Sequence, residues 1–167
     1  MTIRTSRWSG SSICWLLSVV LISPMALADD EDDVRALIDT YVETEVVDLR
    51  KQMSLMADDR VFINGGLRQT DNAANTKSQM ANTARNRELD PDAEVIVTAE
   101  DVMVRVIGGN AAVASFYRYW NVINSADAVR AGVAGGGGPP PAAVTLVLAK
   151  MGGNWKIVHT HQSNIGG

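Results

Sequence analysis

The chain has 167 residues, 46% of them hydrophobic, a length that suits one domain and excludes two of ordinary size. Its 15 basic against 19 acidic groups form no basic patch or stripe, which disfavours a nucleic-acid partner, since such affinity depends on groups that neutralise phosphates. The single cysteine, Cys14, lies in the N-terminal leader, so the remaining domain depends on its apolar core or a partner subunit rather than on disulfides.

The leader reads as a secretory signal over residues 1–28. Arg4 and Arg7 supply positive charge, residues 13–22 an apolar run, and Ala26-Leu27-Ala28 a small-x-small cleavage site. The run is about half the roughly 20 residues a spanning helix needs, so no stable membrane anchor is expected after cleavage. Cys14 is followed by Trp15 and Leu16, which disfavours lipid attachment there. The expectation is a periplasmic or secreted domain over residues 29–167, starting near Asp29. Losing Arg4 and Arg7 leaves 13 basic against 19 acidic groups, a net charge of −6.

Asp33 is a plausible N-cap, with residues 29–33 a solvated acidic start that complements the helix dipole. Beyond it Val34, Leu37, Ile38, Tyr41, Val42, Val46, Leu49, Met53 and Met56 recur at three- and four-residue steps, an amphipathic helix with one break. Residues 61–64 suit a short strand ended by Gly65-Gly66. Asp71 or Asn72 can cap a second helix running to about Glu88, closed by Pro91. Asp58-Asp59 reads as a helix-to-strand turn, because adjacent strand-entry carboxylates point apart.

After Pro91 the period becomes two. Residues 95–107 and 111–123 form a hairpin about Gly108-Gly109-Asn110, and residues 144–151 and 155–163 a second about Gly152-Gly153-Asn154. Between them, residues 125–141 contain GGGGPPP and read as a long exposed loop, or as a lid over a ligand. Helices followed by a meander of long antiparallel strands give an α+β domain, helices packed on one face of a curved sheet.

The sharpest segment is GGNWKIVHTHQS, residues 152–163. Strict alternation sends Trp155, Ile157, His159, His161 and Ser163 to one face, and the chain's two histidines thus share the side that begins with an indole. This segment resembles the SnoaL-like and DUF4440-like branch of the nuclear transport factor 2 (NTF2) superfamily. It is most similar to the last strand of the calcium/calmodulin-dependent protein kinase II association domain, with its G-x-W-x-x-V-H-x-H-x-S pattern. Thr145, ten residues before the tryptophan, matches a threonine there, and Asn110-Ala111-Ala112 through Arg118 resembles the preceding strand. The resemblance implies an NTF2-like cone with a pocket at its open end and dimerisation through the sheet. It does not imply one activity, because the superfamily includes isomerases, dehydratases, epoxide hydrolases and noncatalytic oligomerisation modules. Arg118 looks like one of the arginines that line the association domain's cleft, whereas Leu146 stands where another is expected.

Within that frame His159 and His161 are candidate acid/base groups, since imidazole titrates near neutral pH; the alternative is packing along a terminal strand or across a subunit contact. A metal site there needs a third ligand that no local motif supplies, so neither metal nor cofactor is expected. The strand over 111–123 offers Phe116, Arg118 and Trp120 on one face and Tyr117, Tyr119 and Asn121 on the other. Either set, with Trp155, is a candidate ligand-binding surface, and Arg118 could hold an anionic group through its planar fork. Asp101 and Arg105 read as a solvated edge. No nucleophile elbow, phosphate loop or zinc-spaced cysteine set occurs. The sequence leads to an exported, homodimeric domain binding a small, partly apolar molecule in its cone. The alternatives are a cofactor-independent lyase, isomerase or hydrolase using His159 or His161, and a noncatalytic oligomerisation module.

Overall fold

The computed structural model describes residues 24–133 and 139–166; the apolar run of the leader, Cys14 and part of the GGGGPPP segment lie outside them. The first helix, α1 (Pro24–Val47), begins upstream of the expected cap at Asp33. Proline suits a first helical position, where its missing N–H costs nothing. The acidic stretch therefore sits within the helix, and Asp30 is buried, paired with Lys150. Asp48 ends α1 and caps α2 (Leu49–Ser54), its carboxylate accepting from Lys51 N at 2.9 Å. This is the break the periodicity required, although Met56 belongs to the next strand and not to the helix.

That strand, β1 (Met56–Asn64), pairs antiparallel with the short β2 (Leu67–Gln69). Helix α3 (Asn72–Leu89) starts at the expected cap, Asp71, whose side chain accepts from Ala74 N. The long hairpin is β3 (Glu94–Ile107) and β4 (Ala111–Ile123), and the second is β5 (Ala142–Met151) and β6 (Asn154–Asn164). The segment expected as pure loop holds one short helix, α4 (Ala126–Ala131), capped by Ser125 and closed by Gly132 in the left-handed region at φ 70°. Asp90 Oδ2 accepts from Ser125 N at 2.9 Å and ties this helix to the end of α3.

The sheet order is β2-β1-β6-β5-β4-β3, antiparallel throughout except for the parallel β1–β6 pair. Helices cover one face of this curved, open sheet, which bears out the α+β expectation. Val34, Ile38, Tyr41 and Val42 of α1 pack against Ala112, Ala114 and Phe116 of β4, Val144, Leu146 and Leu148 of β5, and Trp155 and Ile157 of β6. Arg35 fastens α1 to the edge strand, its Nη1 donating to Val102 O at 3.0 Å. That carbonyl sits in a bulge of β3 between Glu100 and Met103, where Asp101 has φ 53°; Asp and Asn tolerate this region better than most side chains. Asp101 and Arg105 are both exposed, as a solvated edge requires.

Candidate functional site

Strand β4 keeps its alternation throughout. Ala112, Ala114, Phe116 and Arg118 are buried on the helix-covered side with Trp120 continuing the row, while Val113, Ser115, Tyr117, Tyr119 and Asn121 face outward. The two candidate sets from this strand are thereby separated by the thickness of the sheet. Only Phe116, Arg118 and Trp120 line the interior.

Strand β6 does not keep its alternation. Leu148 pairs with Ile157 and Val147 with His159, so Val158 is an extra residue with no partner on β5. An extra residue of this kind resets the side-chain parity, since one residue of slip exchanges the faces. Trp155 and Ile157 point inward before the bulge, and Thr160 and Gln162 are the buried residues after it. His159 pairs beside Val61 and Val147 and His161 beside Ile63 and Thr145, on the outer face. The shared face expected for Trp155, Ile157, His159, His161 and Ser163 is corrected accordingly: the histidines lie on the opposite side from the indole.

The same level of the sheet is irregular in β1. Met56 pairs with Ile157 and Val61 with His159, so four residues of β1 stand against the single Val158. Asp58 and Asp59 are exposed in this stretch, while Arg60 at its end is only 3% exposed. Arg60 Nη1 donates to Thr160 Oγ1 at 3.1 Å, and its Cζ lies 4.8 Å from the Phe62 ring centroid.

Helix α1 contributes Tyr41 and Glu45, one turn apart on its buried face. Glu45 Oε1 accepts from Arg118 Nη1 at 2.7 Å, with about a tenth of each side chain exposed (9% and 10%). Arg118 also stands over Trp120, Cζ to ring centroid 5.8 Å. Gln52 Nε2 donates to Tyr41 O at 2.9 Å and holds α2 against this part of α1. Among the described residues Glu45 Oε2, Arg60 Nε, Arg118 Nε and Trp120 Nε1 are buried without a hydrogen-bond partner.

These groups feel one another. Burial pushes the Glu45 carboxyl above the usual carboxylate range; Arg118 pulls it back, and so does the Trp120 indole N–H, which stands close but outside hydrogen-bonding geometry. The Tyr41 phenol is pushed up to about 12, first by burial and then by Glu45, with Arg118 and Arg60 opposing. Burial lowers Arg60 from the ordinary guanidinium value. Two arginines, one carboxylate and one neutral phenol thus share a low-dielectric interior rimmed by Phe62, Phe116 and Trp120.

Trp155 is buried but does not join this cluster. It pairs with Lys150, whose Nζ stands 5.3 Å from its ring. Ala142, which pairs with Arg118, is eight residues away along β5, roughly 26 Å of strand. Sequence reasoning missed Tyr41, Glu45, Arg60, Thr160 and Gln162. A signal existed for one of them, since Glu45 falls four residues after Tyr41 on the apolar stripe of α1, where a carboxylate is rarely buried without purpose. A separate groove of about 320 Å³ lies outside the sheet interior, lined by Gln69, Thr70, Asp71, Ala74, Asn75 and Ser78. Among the described residues no group of three or more His, Cys, Asp or Glu could hold a metal ion, and no helix is long and apolar enough to cross a membrane.

Residues 34–166 match the family described as SnoaL-like domain. No curated protein matches the chain. Among solved structures it is similar to an NTF2-like protein with a cystatin-like fold from Novosphingobium aromaticivorans, at 18% identity, TM-score 0.66 and 86% coverage of each chain. It is also similar to a candidate calcium/calmodulin-dependent protein kinase II association domain from Xanthomonas campestris, at 18% identity and TM-score 0.59, covering 79% of this chain and 85% of that one. A third is a candidate ketosteroid isomerase from Shewanella frigidimarina, at 14% identity and TM-score 0.57, covering 80% and 97%. Identities this low carry the fold and leave the activity open.

Proposed function

The chain belongs to the SnoaL-like domain family, and on that premise we propose that it is an exported module that binds a small, partly apolar molecule against the inner face of its sheet and pairs with a second copy through the outer face. The observation that carries the ligand reading is the buried cluster of Tyr41, Glu45, Arg60 and Arg118 beside the half-buried Trp120, in which Glu45 Oε2, Arg60 Nε, Arg118 Nε and Trp120 Nε1 have no partner. Buried polar groups are almost always satisfied, and those that are not call for a partner from outside the chain. The aromatic surroundings supply the apolar contact that binding sites usually provide.

Pairing is supported by the outer face, where Ile96, Met103, Ile107, Val113 and Tyr117 are exposed large side chains on adjacent strands. Exposed apolar side chains gathered on one sheet face, with Glu100 and Arg105 among them, suit an interaction surface. Export is supported by the leader alone. Native mass spectrometry of protein purified from its own host tests all three parts. The expected species is a dimer of chains starting near Asp29 and carrying a noncovalent adduct of small-molecule mass. Bare monomers with an intact leader would overturn the proposal.

A second reading, acid/base catalysis, is supported by the raised Glu45 carboxyl and its free Oε2, because a displaced pKa in a buried cluster is a mark of proton-transfer sites. Glu45 takes the role that the sequence offered to His159 or His161, which face away from the cluster. The two readings separate on whether an incubated ligand is recovered unchanged.

A further inference from the structure

We infer that the molecule held in the interior carries one negative charge, of the carboxylate class, and that Arg60 is the residue that holds it. This rests on the ligand reading above. Arg60 is the interior charge left without a partner. The four ion pairs among the described residues do not include it, and the segments outside them, residues 1–23 and 134–138, contain no aspartate or glutamate. No acidic side chain remains to neutralise it.

A buried guanidinium without a counter-charge is rare, because desolvation is repaid only by an opposite charge and hydrogen bonds. Arg60 has one hydroxyl and one ring face, and its Nε donates to nothing. Arg118, the residue to which the sequence assigned anion binding, is already engaged by Glu45 at 2.7 Å. With Tyr41 neutral, the cluster sums to one positive charge, which a monoanion closes and a dianion such as phosphate overshoots. The guanidinium fork matches a carboxylate in two parallel bonds. Thr160 Oγ1 accepts from Arg60 and keeps its own proton, available to the second carboxylate oxygen.

The backbone bears out the importance of this point. The insertion in β1 and the bulge at Val158 in β6 lie side by side, and together they deliver Arg60 and Thr160 to the interior. Irregularities of this type recur where a strand re-aims a side chain beside a site. Phe62, Phe116 and Trp120 offer apolar faces to a body attached to the charged head.

The test uses the purified full chain, refolded from denaturant to strip any co-purified molecule, and titrates it by calorimetry with phenylacetate, its neutral isostere phenylacetamide, and inorganic phosphate. Phenylacetate is expected to bind about tenfold or more tighter than the amide, the worth of a charge-assisted hydrogen bond, and phosphate weakest. Arg60→Gln should abolish the preference, so that acid and amide bind alike, and Arg60→Lys should restore part of it. Equal affinities in the parent chain overturn the inference and leave the ligand reading standing, as does a preference that survives Arg60→Gln. Binding of neither aromatic overturns both. Thermal unfolding is an independent arm that does not require the variant to bind: without ligand, Arg60→Gln should raise Tm, and a lowered Tm shows that the charge is already compensated.

Discussion

On either side of β5 run two strands that reach the interior by different rules. β4 keeps its alternation from Ala112 to Trp120 and carries Arg118 inward at the position parity dictates. β6 changes parity at Val158 and so carries Thr160 and Gln162 inward where parity from Trp155 would place His159 and His161. The polar end of the interior is therefore assembled from one unbroken strand and two broken ones, β6 and β1. Facing is a local property that holds only between bulges, and the residues a bulge selects are the ones a periodic reading omits.

The comparison can be broken most severely on the β4 side, by Glu45→Gln, which leaves Arg118 buried beside a neutral amide. A loss of about 3 kcal/mol is expected in urea unfolding. The double variant Glu45→Leu with Arg118→Met should return to within about 1 kcal/mol of the parent, since apolar replacement of a buried pair is often neutral or better. Glu45 also sets a pH signature. Its folded pKa is raised, so its contribution is complete below the ordinary value of 4.5 and is lost as pH rises through the folded value. Glu45→Gln should flatten that part of the stability profile above pH 4.5.

Tyr41 gives a comparable effect at the alkaline end. Its pKa rises from 10.0 to about 12, so its contribution is complete below pH 10 and is lost between there and about 12, roughly 2–3 kcal/mol at most. Ultraviolet difference titration should show a tyrosinate phase near 12 that is absent from Tyr41→Phe. The smallest effect belongs to the outer face. His159→Ala and His161→Ala should each change stability by no more than about 0.5 kcal/mol and leave ligand binding intact; a tenfold loss of affinity in either would return the histidines to the site.

How legible each part was follows from the same distinction. The hairpins of β3–β4 and β5–β6 were readable because glycine turns punctuate long runs of period two, and Asp71 marked α3 by its cap. The interior placement of Phe116 and Arg118 needed only parity, once the helices fixed which face they cover. The inward turn of Thr160 was not readable, because Lys156, Thr160 and Gln162 look like the polar alternates of an exposed face. Arg60 was hidden for a different reason: it closes the irregular stretch that begins at Ala57, and only the pairing of Val61 with His159 reveals which way it points. Helix α4 was legible in principle, with Ser125 before it and Gly132 after, but the glycine and proline run beside it dominated the composition.

The place of β6 in the sheet has a consequence for how the molecule comes into being. β6, the last strand in chain order, sits between β1 and β5, so the β1–β2 pair and the β3–β4–β5 meander become one sheet only when β6 joins them. Contacts this distant along the chain are slow to close. The sheet therefore closes late in folding, when two separately formed halves are joined by the strand that lies between them.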